Sequence, residues 1–149
     1  VDFTQLPLPG FKMAESVREA IQGPQHDENS KTMGAYYTDA QVAEFLVWWA
    51  IRSADERVLD PSFGGGVFLR AACKRLHQLG GKPSDRVFGV EIDERVHASI
   101  ADKLFDEFGV GRRNLILSNC FDLSRDAIRD VNVVVGNPRV LNRFGETVP

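Results

Sequence analysis

The chain has 149 residues, a one-domain length, and 43% hydrophobic with 9% aromatic residues is enough to build one buried core. Charged residues make up 26% and the formal net charge is −3, so the chain lacks the basic field that a self-sufficient duplex-binding module carries. Cys73 and Cys120 form no C-x-x-C pair and His26, His77 and His97 are scattered, so neither a metal site nor a disulfide framework is indicated, and a reducing, cytoplasmic setting is expected.

Val1 to Gly10 is Pro-rich and irregular, and Met13, Val17, Ala20 and Ile21 recur at helical spacing within 12–22 before Gly23-Pro24 ends the pattern. A polar stretch runs to Met33, and the composition changes at Gly34, so 1–33 is expected to be an irregular and helical lead-in and 34–149 the folded unit. Thr38 with Gln41 three residues on predicts a capping box for a helix whose apolar stripe is Val42, Phe45, Leu46 and Trp49. The apolar run around Ala43 to Ile51 is interrupted by Glu44 and is far too short to span a bilayer.

Arg57 to Asp60 predicts a short buried strand, Gly64-Gly65-Gly66 a tight turn, and Val67 to Leu79 a helix stopped by Gly80-Gly81. Val87 to Glu91 predicts the next strand, and Glu94 to Phe108 the next helix, with Val96, Ile100, Leu104 and Phe108 at four-residue steps before Gly109. Leu115 to Leu117 gives a third strand, Ser124 to Arg129 a short helix capped by Ser124, and Val131 to Val135 a fourth strand. Strands alternating with helices imply a parallel, doubly wound α/β sheet. The chain starts at Val1 without a methionine and stops at Pro149 soon after a strand, which reads as an excised piece of a longer protein.

Three constellations carry candidate chemistry. Asp60-Pro61-Ser62-Phe63-Gly64-Gly65-Gly66 sits where the first strand ends, and glycines there let backbone approach a ligand closely. Glu91 closes the second strand, the place where an acidic side chain in a nucleotide-binding α/β fold accepts hydrogen bonds from ribose hydroxyls. Gly136-Asn137-Pro138-Arg139-Val140 follows the fourth strand, and taken alone it also fits a plain turn.

In this order the motifs resemble those of the gamma-type N6-adenine DNA methyltransferases of restriction-modification systems. Gly34-Ala35-Tyr36-Tyr37-Thr38 is similar to the motif that takes the methionine end of S-adenosylmethionine, Leu59 to Gly66 to the glycine loop, and Gly89-Val90-Glu91-Ile92-Asp93 to the ribose motif. Asn119-Cys120-Phe121-Asp122-Leu123 is similar to the adenine-contact motif, and Asn137-Pro138 to the start of the catalytic Asn-Pro-Pro-aromatic motif. The resemblance spans roughly Gly34 to Val140.

It implies a Rossmann-like methyltransferase fold, truncated, with strand order 3-2-1-4, and S-adenosyl-L-methionine as cofactor. Thr38 would hold the methionine carboxylate, with Tyr37 beside it in the cofactor site, and Asp60, Pro61, Ser62, Gly64 and Gly66 would line the methionine and the sulfonium. Glu91 would take the ribose hydroxyls, while Ile92, Asn119 and Cys120 would meet the cofactor's adenine. Asn137 and Pro138 would accept hydrogen bonds from the amino group of a flipped adenine, which frees the nitrogen lone pair for attack on the methyl group. Val140 stands where the family places an aromatic that stacks on that base, and Arg139 where it places a second Pro. The implied partner is DNA, held mostly by segments outside this chain, with self-association through the exposed edge of the fourth strand as a further expectation. The piece alone is therefore expected to be inactive, and the parent an adenine-specific DNA methyltransferase. Two readings stand beside this one: a non-catalytic cofactor-binding or DNA-associated subunit, favoured by Arg139 and Val140, and a protein-glutamine or RNA amino-methyltransferase. A nicotinamide dehydrogenase ranks last because the glycine turn does not fit G-x-G-x-x-G.

Overall fold

The structure is a computed structural model that describes residues 38–138. The expected helix over 12–22, Tyr37, Arg139 and Val140 lie outside the described residues. Helix α1 spans Ala40–Ala50, strand β1 Val58–Asp60, helix α2 Val67–Gln78, the single turn α3 Pro83–Arg86, strand β2 Val87–Glu91 and helix α4 Glu94–Phe108. A 3-10 turn at Arg112–Asn114 leads into β3, Leu115–Leu117, and further 3-10 turns at Cys120–Asp122 and Arg125–Ile128 precede β4, Val133–Val134.

The four strands form one parallel sheet in the order β3-β2-β1-β4, the order expected from the sequence. Val58 pairs with Val87 on one side and with Val133 on the other, and Glu91 pairs with Leu117. The order reverses at β1. Loops leaving the carboxyl ends of β1 and its two neighbours therefore diverge there, and in open α/β sheets ligands bind in the crevice this opens.

One contiguous core joins α1 through Ala43, Val47 and Ile51, α2 through Leu69, Ala72 and Leu76, α4 through Ile100 and Leu104, and the sheet through Val58, Val87 and Leu115. Among the helices α2 is the most fully enclosed, with Phe68, Leu69, Ala71, Ala72, Cys73 and Leu76 all buried. Burial pushes the Cys73 thiol up to about 12, with the nearby Glu107 charge adding to the shift, so this cysteine behaves as a small apolar core residue. Helix α4 begins where Asp93 accepts hydrogen bonds from the Arg95 and Val96 amides, and it stops at Gly109 in the left-handed conformation.

Three expectations about the elements need correction. The cap of α1 is Asp39, not Thr38: Asp39 Oδ1 accepts from the Gln41 amide at 2.8 Å and the Val42 amide at 3.3 Å. With Asp39 at the cap, the third helical position is Val42, so the reciprocal Gln bond of a capping box does not form. The buried face of α1 is Ala43 and Val47, while Leu46 and Trp49 are 44% and 58% exposed. Helix α1 packs against α2, with Phe45 and Trp48 half-buried and Leu46 and Trp49 turned outward. The fourth strand is regular over Val133–Val134 rather than the whole of Val131 to Val135: a turn with Asp130 at positive φ precedes it, and beyond it the Val135 amide still donates to the Leu59 carbonyl.

Candidate active site

Asp60 is the last residue of β1 and is 1% exposed. Its Oδ1 accepts a hydrogen bond from the Ser62 amide at 3.0 Å. Desolvation pushes its carboxyl up to about 7; the Ser62 hydrogen bond works against this, and the negative charge of Glu91 adds to it. A buried carboxyl that titrates near neutrality, at the switch point of a parallel sheet, marks this end of the molecule as a candidate site.

The chain from Asp60 to α2 is the glycine turn. The Phe63 amide donates to the Val90 carbonyl and the Gly66 amide to the Phe63 carbonyl, which folds the turn over the end of β2. Gly66 caps α2 at φ 74°, and a Cβ there would stand 2.7 Å from Ile100 Cγ2, so the turn can lie against α4 only without a side chain.

Glu91, the last residue of β2, is 8% exposed and points back into this turn. Its Oε2 accepts from the Gly64 amide at 2.9 Å, and its Oε1 from the Ile92 and Asp93 amides at 2.8 and 2.9 Å. The residue read from the sequence as a ligand group thus already holds three backbone amides.

After β4 the chain passes directly beside Asp60. Gly136 has φ 152°, and a Cβ there would lie 2.7 Å from Asp60 Oδ1, so only glycine lets this segment approach the carboxyl. The next residue, Asn137, donates from Nδ2 to the Thr38 hydroxyl at 3.3 Å. Two segments 99 residues apart in the chain thereby meet over the strand ends. Asn137 and Pro138 are exposed.

On the β3 side, the Ser118 amide donates to the Glu91 carbonyl and ties the exit of β3 to the end of β2. Asn119 Oδ1 accepts from the Phe121 amide and so caps the 3-10 turn at Cys120–Asp122. Ile92 is 69% exposed and Phe121 is 91% exposed. Phe121, which follows the candidate Cys120 in the motif, is the more exposed of the two, since Cys120 is half-buried in the turn.

The structure brings Thr38, Asp60, Pro61, Ser62, Gly64, Gly66, Glu91, Asn137 and Pro138 to one end of the sheet, with Ile92, Asn119 and Cys120 at the same end beyond β2 and β3. No group of His, Cys, Asp and Glu that could hold a metal ion occurs among the described residues. None of their helices is long and apolar enough to cross a membrane.

A family model described as N-6 DNA Methylase matches residues 18–145. Among solved structures, the chain is similar to a modification subunit assigned to a type I restriction enzyme from Vibrio vulnificus YJ016, at 21% identity and a TM-score of 0.61, covering 88% of this chain and 28% of that one. It is also similar to a protein in the DrdV-DNA complex, at 19% identity and a TM-score of 0.53, covering 74% of this chain and 14% of that one. At these identities the likeness is one of fold, and the chain spans well under a third of either structure. No curated protein matches it.

Proposed function

The chain belongs to the N-6 DNA methylase family, and we propose that it is the cofactor-binding part of an S-adenosylmethionine-dependent DNA adenine-N6 methyltransferase acting in restriction-modification. The observation that carries this reading is the convergence of Asp60, Glu91 and Asn137-Pro138 at the carboxyl ends of three adjacent strands.

The residues present suit the cofactor. The turn from Pro61 to Gly66 offers backbone without bulk, the Asp60 carboxyl suits a neighbouring cation, and exposed Ile92 and Phe121 offer apolar surface to a planar ring at the far side of Glu91. In this reading Thr38 takes the methionine carboxylate, Tyr37 belongs to the same cofactor site, and Asn119 and Cys120 lie on the adenine side. S-adenosylmethionine supplies an electrophilic methyl group on a sulfonium.

The protein's own part is to orient and polarise the acceptor amine. Asn137 gives an amide hydrogen to Thr38, which leaves its Oδ1 free to accept, and the Pro138 carbonyl supplies a second acceptor. Two acceptors drawn to one amino group favour a pyramidal nitrogen whose lone pair can attack. DNA is the proposed partner, with the grip on phosphates supplied largely outside these residues, consistent with the net charge of −3. Self-association through β4 belongs to the same reading, since Val134 is 63% exposed and the outer edge of β4 has no pairing strand among the described residues. A cytoplasmic setting is part of it as well.

Arg139 and Val140, where the family places Pro and an aromatic, favour a second reading in which the chain binds the cofactor without catalysing transfer. The two separate in one pair of measurements. Calorimetric titration should show binding of S-adenosylmethionine in preference to nicotinamide dinucleotides. Tritium transfer to duplex DNA by the full-length protein should fall at least about a hundredfold in Asn137→Ala, the size of effect seen when a transition-state hydrogen-bond partner is removed. Binding without any transfer would support the second reading, and dinucleotide binding alone would overturn both.

A further inference from the structure

The amino ends of the strands, opposite the candidate active site, hold a second concentration of charge. Arg57 immediately precedes β1, Arg86 is the last residue of α3 before β2, and Gly81 and Lys82 lie in the link from α2 to α3. With Asp55 and Asp85 these residues line a cavity of about 380 Å³. Sites for small ligands run from roughly 300 to 1,000 Å³.

The two acids of this cavity are already engaged. Arg86 donates from Nη1 to the Asp55 carbonyl at 2.6 Å and from Nη2 to Asp55 Oδ1 at 3.2 Å, and Asp85 Oδ1 lies 4.0 Å from Nη2 of Arg113, which stands outside the lining. Arg57 and Lys82, by contrast, belong to no ion pair among the described residues. Arg57 is held by other means: its Cζ stands 4.4 Å from the centre of the Phe88 ring, and Nη1 makes a long bond of 3.4 Å to the Asp85 carbonyl. Its Nε is buried without a hydrogen-bond partner. Nearly all buried donors in folded proteins are paired, and a guanidinium stays charged at any physiological pH, so a fixed cation with donors unspent is matched by an anion.

We propose that this cavity binds a phosphate dianion, free or carried as a phosphomonoester, between the Arg57 guanidinium and the Lys82 ammonium. Two uncommitted positive charges suit a dianion better than a single carboxylate, and the planar guanidinium pairs with two phosphate oxygens at once. Three cations against two acids leave the lining net positive, which favours entry of an anion. The site is independent of the cofactor reading, since Asp60 and Glu91 close the opposite ends of the same two strands.

Nuclear magnetic resonance titration tests it. The Arg57 Nε–H resonance and the Gly81 and Lys82 amides are followed as inorganic phosphate replaces chloride at constant ionic strength, which holds screening fixed. All three should shift saturably, while Gly64 and Asp93 at the far end should not. Lys82→Gln alters an exposed side chain and should weaken phosphate by about tenfold, the effect of losing a charged hydrogen-bond partner. Arg57→Lys keeps the charge but loses the fork and should weaken it too; if that variant fails to fold, Lys82→Gln decides alone. Glycerol 3-phosphate separates the two sources, tighter binding than inorganic phosphate assigning the monoester and equal or weaker binding the free ion. Shifts that never saturate, that acetate reproduces, or that persist unchanged in Lys82→Gln would overturn the proposal, as would a response to duplex DNA with none to inorganic phosphate.

Discussion

Replacing Asp60 by asparagine should make the protein more stable at pH 8 and leave its stability at pH 4 nearly unchanged. Asp60 is 1% exposed, and burial raises its carboxyl from the ordinary 3.8 to about 7 in the folded protein. Between those values the folded state holds a proton that the unfolded state has released. The stabilising contribution is complete below about 3.8 and is lost as pH rises through about 7, which corresponds to roughly 4 kcal/mol at full expression. Asparagine resembles the protonated acid in shape, keeps an oxygen to accept from the Ser62 amide, and never ionises. Urea unfolding of both proteins at pH 4, 5, 6, 7 and 8 measures the difference directly. The advantage of Asp60→Asn should grow across this range toward a few kcal/mol, most of it between pH 4 and pH 7. Parallel curves, within about 0.5 kcal/mol at every pH, would refute the argument that the carboxyl is desolvated by folding.

Asp39→Ala should cost about 1 kcal/mol of stability by removing the cap of α1, whereas Thr38→Ala should cost much less, and chemical denaturation of the two variants separates the cap from its neighbour. Asn114→Ala should cost about 1 to 3 kcal/mol, because Asn114 Nδ2 donates to the Ser84 and Val87 carbonyls from a side chain that is 4% exposed; a fall in thermal midpoint without change in ligand affinity would identify its role as structural.

Much of this architecture is written locally. Val87–Glu91, Glu94–Phe108 and Leu115–Leu117 form the elements their residues predict, since apolar runs bounded by Gly and charged residues and a four-residue apolar repeat ended by Gly109 leave few alternatives. The parallel order 3-2-1-4 is likewise legible, given the alternation of strands and helices and the resemblance of the motifs to a known family. Sequence also marked Asp60, Glu91 and Asn137 as residues at strand ends.

Tertiary structure decided which face each of these residues presents and what it holds. Helix α1 carries apolar residues nearly all round, so periodicity favoured Leu46 and Trp49, and only the approach of α2 selected Ala43 and Val47. Asp39 prevailed over Thr38 because the helix starts one residue later than the capping pattern suggests. Glu91 binds Gly64 across 27 residues, and Asn137 binds Thr38 across 99. Asp60 titrates near neutrality because β2, β4 and the glycine turn exclude water from it. A residue's type and spacing fix what its side chain can do; its solvent, its neighbours and its remaining hydrogen-bond capacity are set only when distant segments pack together.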